Sequence, residues 1–539
     1  MRRASITCIV LSALLAGAPG QADPMRVIEG IVVDAAGRPV ADALLRLRAS
    51  DTAARSDAEG RFTLVGPAIG AGIEITAAKP GYVIAGQALG NEAIRYRLVL
   101  RPIAPADERS YAWVSAYALA DRQGPIEDTG REPCGTCHRR IAEEWQSSRH
   151  AGSALNPIFN AFYYGAGGAE RPGQFPSHHH DFPNSNGTCV HCHLPALALR
   201  IPRDADPTDA SGVEREGIGC DFCHKIAEVD PDPAQGRIGA QAALLRRPGG
   251  GAQLVLGPLD DVPRGRDAFS PVYRDSRYCG ICHDGGFWGI PAYSEFKEWQ
   301  ETELPARGIH CQDCHMLNAA KAETVADAGP EIIRRAPEGL SSHRFHDSLS
   351  PGFVRRAIDF RLTAGRATTD HAGADVSATV AIANTGAGHH LPTGTPMRHM
   401  LLVLEARDAE GRLLQQSAGE RVPEWGGTEE GPVPPLAGLP GKAFAKILQD
   451  RLTYFGDRHL DPLFPAPHWR PTFIAWDNRL ARGATDVSAY GFALAVPERF
   501  PVTVTARLII RRTFQAWALE QGLPDIEVEI ARESIVVER

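Results

Sequence analysis

Apolar and polar positions alternate at both ends of the chain and lose that rhythm in the middle. Near the N-terminus the alternation runs through Leu45/Leu47, Phe62/Leu64, Ile73/Ile75 and Tyr96/Leu98/Leu100, with Gly, Pro and Asp between the runs. Near the C-terminus it returns in Val376/Ala378/Val380/Ile382, in the apolar run Leu401 to Leu404 and in Val502/Val504/Ala506/Leu508. Period-two alternation with turn signals between the runs predicts β-sandwiches. The stretch between them is rich in Gly, Pro and His and predicts short helices and loops. The expected organisation is therefore multidomain: an N-terminal β-sandwich over 25–102, a linker over 103–131, a central short-helix/loop domain over 132–351 and a C-terminal β-sandwich over 358–539. One helix is expected over 138–150, with Ile141 and Trp145 on one face and Glu143 and Glu144 outside it. A short helix is also expected within 512–523.

The middle segment carries the chemistry. Cys134-Gly-Thr-Cys137-His138, Cys189-Val-His-Cys192-His193, Cys220-Asp-Phe-Cys223-His224, Cys279-Gly-Ile-Cys282-His283 and Cys311-Gln-Asp-Cys314-His315 are five copies of C-x-x-C-H. This is the attachment pattern of c-type haem: two thiols one helical turn apart add to the porphyrin vinyl groups, and the next imidazole binds the iron. Ten of the 11 cysteines are used in this way, and the remaining one is Cys8. Zinc sites would not need His after every pair, and a disulfide framework suits a much shorter chain. Five covalently bound haems are therefore expected, making the central segment a multihaem domain. A wire of closely spaced porphyrins could form there.

The net charge of −8 and the lack of a basic run give no reason to expect nucleic acid. Arg2 and Arg3, the apolar run Ile6 to Ala16 and the small residues up to Ala22 read as a secretory signal over 1–22. No later run has the length of a membrane helix. A periplasmic or exported location is expected, with redox proteins as partners.

Two resemblances add to this reading. Ala36-Gly37-Arg38-Pro39-Val40 and Asp57-Ala58-Glu59-Gly60-Arg61-Phe62 resemble the repeats of the carboxypeptidase regulatory-like β-sandwich, which implies a role in stability or contact. The haem motifs, Glu144-Trp145-Gln-Ser-Ser-Arg-His150, Cys311 to Met316, Ser342-His343-Arg344-Phe345 and Asn384 to Gly394 resemble the multihaem cytochromes of the cytochrome c-552/c-554 type. That resemblance covers roughly the last three-quarters of the chain. It implies periplasmic electron transfer, in some members with redox catalysis at an open haem. Five motifs stand here against four in the cytochrome c-554 itself.

The 19 histidines leave fourteen beyond the five proximal ones. His150 and His343 are expected as distal ligands from their motifs. The resemblance puts another at His389, with His390 as the near alternative. The run His178-His179-His180 is expected to supply one, taken as His179, and His346 is the fifth candidate. His150 stands twelve residues from His138, or about 18 Å along a helix, so it must serve a different iron. His191 and His310 read as bystanders; His371, His399, His459 and His468 read as ordinary. Met397 and Met400 are the methionines placed to replace an imidazole. A short internal repeat aligns Glu144-Trp145-Gln146 with Glu298-Trp299-Gln300, which puts Leu304 opposite His150.

Three functions are open at this point. An electron carrier is favoured. A multihaem oxidoreductase acting on a small nitrogen or sulfur compound would need a five-coordinate haem, with His310, Arg344 or Tyr273 as acid–base groups. An interaction protein would use its β-domains to dock the haem module.

Overall fold

The computed structural model describes residues 25–67, 73–90, 95–117, 131–170, 176–230, 237–328, 332–347, 350–367, 375–452, 454–455, 458–459, 461–494, 500–523 and 526–539. The expected signal at 1–22 and His371 lie outside these. Among the described residues no helix is long and apolar enough to cross a membrane.

The N-terminal alternation becomes two sheets that share one core. Leu45, Leu47, Phe62, Leu64, Ile75, Leu98 and Leu100 all face it. Strand Met25–Asp34 is the hub, antiparallel to Arg61–Pro67 and parallel to Tyr96–Pro102. The approach is close at Gly30, where a Cβ would meet the Tyr96 carbonyl at 2.2 Å. The turn before Arg61–Pro67 is held by the Asp57 carboxylate, which accepts from the Glu59 and Arg61 N–H groups, and needs Gly60 at φ +76°.

This sheet does not stop near residue 102. Strands Val255–Gly257 and Asp267–Phe269, from the middle of the haem-motif region, continue it through Tyr82–Val83. Arg46 grips Asp260 with two hydrogen bonds of 2.7 and 2.9 Å. The N-terminal sheet is thus built partly from the segment that carries the motifs.

The rest of the middle segment is short helices, loops and two small two-stranded sheets; Arg139–Gln146 is the longest helix among the described residues of the segment, and others include Arg277–His283 and Glu295–Gln300. Helices this short do not persist alone in water and depend on packing. The expected 138–150 helix ends at Gln146, so His150 lies in the turn beyond it.

The C-terminal alternation forms a four-stranded and a five-stranded sheet with a common core, in which Phe360, Val376, Val380 and Ile382 meet Met400, Leu402, Val504 and Leu508. The expected helix is Gln515–Glu520. This region is bolted to the middle by buried charge. The Arg470 guanidinium, fully buried, donates to both oxygens of Asp181 at 2.7 and 2.8 Å and to Asp450 at 2.9 Å. Trp469 Nε1 also donates to Asp181. Removing one partner of such a network strands a buried charge and costs several kcal/mol, about 3–5.

Candidate functional site

One continuous cavity of about 2150 Å³ runs through the middle segment. All ten motif cysteines and all five motif histidines line it. Protein interiors are close-packed, with few voids larger than a water molecule. A cavity this size, lined by paired thiols and imidazoles, fits c-type haem as its content.

The thiols of different motifs meet. Cys134 is hydrogen-bonded to Cys220, Cys279 to Cys311, and Cys192 to Cys282, while Cys223 lies within electrostatic reach of Cys282. Motif 1 therefore adjoins motif 3, motif 3 adjoins motif 4, and motif 4 adjoins motifs 2 and 5.

The proximal rings are oriented from behind. The Nδ1–H of His138 donates to Val325, that of His224 to Leu256 and that of His315 to His346, each at 2.6 Å to a main-chain carbonyl. His193 uses Ser153 at 3.2 Å. A carbonyl fixes the proton on Nδ1 and leaves the Nε2 lone pair for a metal. His283 differs, having the Glu295 carboxylate 3.9 Å from Nδ1.

Ring spacing pairs some motif histidines with other imidazoles. Two imidazoles gripping one iron through nitrogens about 2 Å away leave their centroids about 6.4 Å apart. Three pairs that include a motif histidine meet that requirement: His150 and His283 at 6.4 Å, His224 and His343 at 6.4 Å, His315 and His389 at 6.3 Å; the adjacent His178 and His179 are 6.3 Å apart, and neither is a motif histidine. Burial pushes His150 down to about 3 and His343 to about 4, whereas at His283 burial is outweighed by the Glu295 carboxylate, which raises it to about 9.

The other expected ligands are engaged elsewhere. His179 Nε2 lies 3.4 Å from Asp206, and its ring rests on Tyr163 and Tyr164. The His346 ring stacks on Phe353, and its carbonyl orients His315. His390 lies against Glu298 at 3.2 Å. Met397 and Met400 are buried in apolar clusters of the C-terminal region. No ring pair of the 6.3–6.4 Å kind involves His138 or His193 among the described residues.

The short repeat proves to be a repeated piece of architecture. Trp145 Nε1 donates to the Ile218 carbonyl at 2.8 Å, and Trp299 Nε1 to the Ile309 carbonyl at 3.0 Å. Each carbonyl stands two residues before a motif, at Cys220 and Cys311. The preceding glutamates match as well. Glu144 accepts from the His343 N–H at 2.8 Å and the Ser342 hydroxyl at 3.0 Å; Glu298 accepts from the His390 N–H at 3.0 Å, next to His389. Glu144 is expected off the apolar face of its helix and is instead buried. Its partner segment arrives from about two hundred residues downstream, which helical periodicity cannot register.

His468, read as ordinary, lines the cavity between Thr395 Oγ1 at 3.2 Å and the Tyr293 hydroxyl at 3.5 Å. Burial, then His178 and His193, lower it to about 3. Burial also raises Tyr293, followed by the nearby Cys189 and Cys192. Of the acid–base groups considered from sequence, the Tyr273 hydroxyl is spent on the Cys223 and Ile226 carbonyls, His310 Nδ1 accepts from the Ser276 N–H, and Arg344 is exposed.

Residues 133–225 match the family model described as "Cytochrome c554 and c-prime". Among solved structures, the chain is similar to a penta-heme cytochrome c552 from Thermochromatium tepidum. The identity is 22%, the coverage 75% of this chain and 97% of that one, and the TM-score 0.53. The search of curated proteins gives no match. The two likenesses support reading the chain as a multihaem c-type cytochrome.

Proposed function

We propose that this chain is an exported pentahaem c-type cytochrome that relays electrons between redox partner proteins. Haem supplies a one-electron iron couple; the chain's own residues hold, orient and insulate it. In this reading His150 closes the iron of His283, His343 that of His224 and His389 that of His315. His179 and His346 are left out, because the His179 Nε2 faces Asp206 and the His346 ring stacks on Phe353. The observation that carries the reading is the 6.3–6.4 Å spacing of the three imidazole pairs. The contacts between thiols of neighbouring motifs support a connected relay, and the N-terminal leader pattern supports export.

The test is expression with a haem-attachment apparatus, followed by mass measurement and a redox titration with optical detection. Five added haems and several low-potential low-spin transitions are expected. A colourless product, or an intact mass without haem, overturns the proposal.

A second reading is favoured by one place only. Tyr293 and His468 put a hydroxyl and an imidazole in the cavity beside motif 2 and His193. An iron held there by His193 with an open face would let the protein act on a small nitrogen or sulfur compound. Binding of added cyanide or nitric oxide to a high-spin haem is the expected sign; uniformly low-spin spectra reject it.

A further inference from the structure

Three arginines from distant parts of the chain converge on the haem cavity. Arg149 follows the first Trp-bearing helix, Arg398 precedes strand His399–Arg407, and Arg512 follows strand Val502–Arg511. All three line the cavity, with Thr393, Thr395 and Asp347. We propose that Arg149, Arg398 and Arg512 form an oxyanion-binding pocket whose ligand is a carboxylate or a small inorganic oxyanion.

Charge balance is the first reason. Two carboxylates face the cluster. Asp347 is paired with Arg149 at 3.4 Å, and Glu295, the acid that opposes Arg398, is shared with His283. Three guanidiniums therefore share two acids, one of them already committed. Burial, then Arg149 and Arg398, lower Arg512 to about 10. Arg149 is exposed and Arg398 and Arg512 are half-buried, so the cost here is mutual repulsion of gathered like charges with too few acids, which an anion in their midst relieves.

Donor geometry is the second reason. Arg398 Nη1 donates to the Thr393 carbonyl at 3.0 Å, while its Nε is buried with no hydrogen-bond partner. The buried Thr393 hydroxyl has none either. The Arg512 side chain makes no hydrogen bond or ion pair among the described residues. Gly394, at φ +90°, lets the Arg398 guanidinium lie against the loop, since a Cβ there would meet Nη1 at 2.7 Å. Planar guanidiniums with free N–H groups match the paired oxygens of carboxylates and other oxyanions.

The chemistry has two sources, a haem propionate or a free anion, and the inference rests on the haem-bearing reading above. The experiment uses holoprotein shown by mass to carry its haems; failure of that check would count against the proposed function and leave this pocket to be judged by its own arms. Sulfate, which is redox-inert, is titrated calorimetrically. Saturable binding that Arg398→Gln and Arg512→Gln weaken at least tenfold, and that Arg512→Lys partly restores, assigns the pocket to a free anion. No sulfate binding in the wild type, together with a holoprotein structure showing propionate oxygens on Arg398 Nε and a shifted midpoint potential in Arg398→Gln, assigns it to a propionate. If sulfate does not bind and no propionate reaches the three guanidiniums, the proposal is overturned.

Discussion

The two Trp-bearing units use the same scaffold and differ in what they do with it. In each, a motif leads to a short helix, its Trp donates to a carbonyl two residues before a later motif, and its buried Glu holds the backbone at or beside a histidine that faces a motif imidazole. The first unit goes further. Its His150, just past the helix, faces His283 of the second unit. The second unit has Leu304 at that place, buried against Phe296 and Trp299. The contrast shows that the clamp sets the spacing between motifs, whereas the supply of ligands varies independently. The glutamates also differ. Glu144 pairs with Arg140, whose side chain is 27% exposed, and Glu298 with Arg479, which is 6% exposed.

Ligand substitutions should break the comparison most strongly. His343→Ala and His389→Ala each remove the ring facing a proximal histidine within one unit, and His150→Ala removes the one shared between units. Each is expected to convert one haem to an open high-spin state, read by electron paramagnetic resonance; an unchanged low-spin count would reject that pairing.

Truncating the clamps comes next. Trp145→Ala and Trp299→Ala each delete a buried indole and its hydrogen bond. Each should cost about 3–5 kcal/mol in denaturant unfolding of the haem-bearing region.

The glutamates should follow. Glu144→Gln and Glu298→Gln put a neutral amide in place of a buried carboxylate and weaken its pairing with Arg140 or Arg479, and should cost about 2–4 kcal/mol. Burial opposes ionisation of both, but their hydrogen bonds and arginines hold both carboxyls below the ordinary value of 4.5. A depressed carboxyl contributes stability above its unfolded value and loses it as the pH falls through the folded one. The gap between wild type and either variant should therefore be fully open above about pH 4.5 and close on acidification. A gap independent of pH would show that charge is not what these residues contribute.

The smallest effect is expected from the arginines. Arg140→Ala, more exposed, should cost about 1 kcal/mol, and Arg479→Ala more. Equal losses would mean that burial does not distinguish the two units.

The parts of the site that depend on neighbours in the chain were legible before the fold was known. C-x-x-C-H places two thiols and an imidazole on one turn, so motif and chemistry coincide. The repeat was visible as Glu-Trp-Gln, and the alternation of Val376 to Ile382 and of Val502 to Leu508 marked real strands. The role of Glu144 was not legible. The residue sits beside Trp145 on a helix and looked solvated, because the Ser342–His343 segment that buries it is remote in sequence. His179, one of three adjacent histidines, had no local feature to separate it from its neighbours, and its place against Asp206 depends on the loop around residue 206.

The sequence by itself determined how many C-x-x-C-H motifs there are and which two thiols and which imidazole belong to each. All of these follow from residues within a few positions of one another. Only the tertiary structure decided that the ring facing His389 is His315, that His150 crosses to His283, and that Arg149, Arg398 and Arg512 gather around one cavity. Such arrangements join segments up to several hundred residues apart. They are set by how sheets and helices pack, which local spacing does not encode.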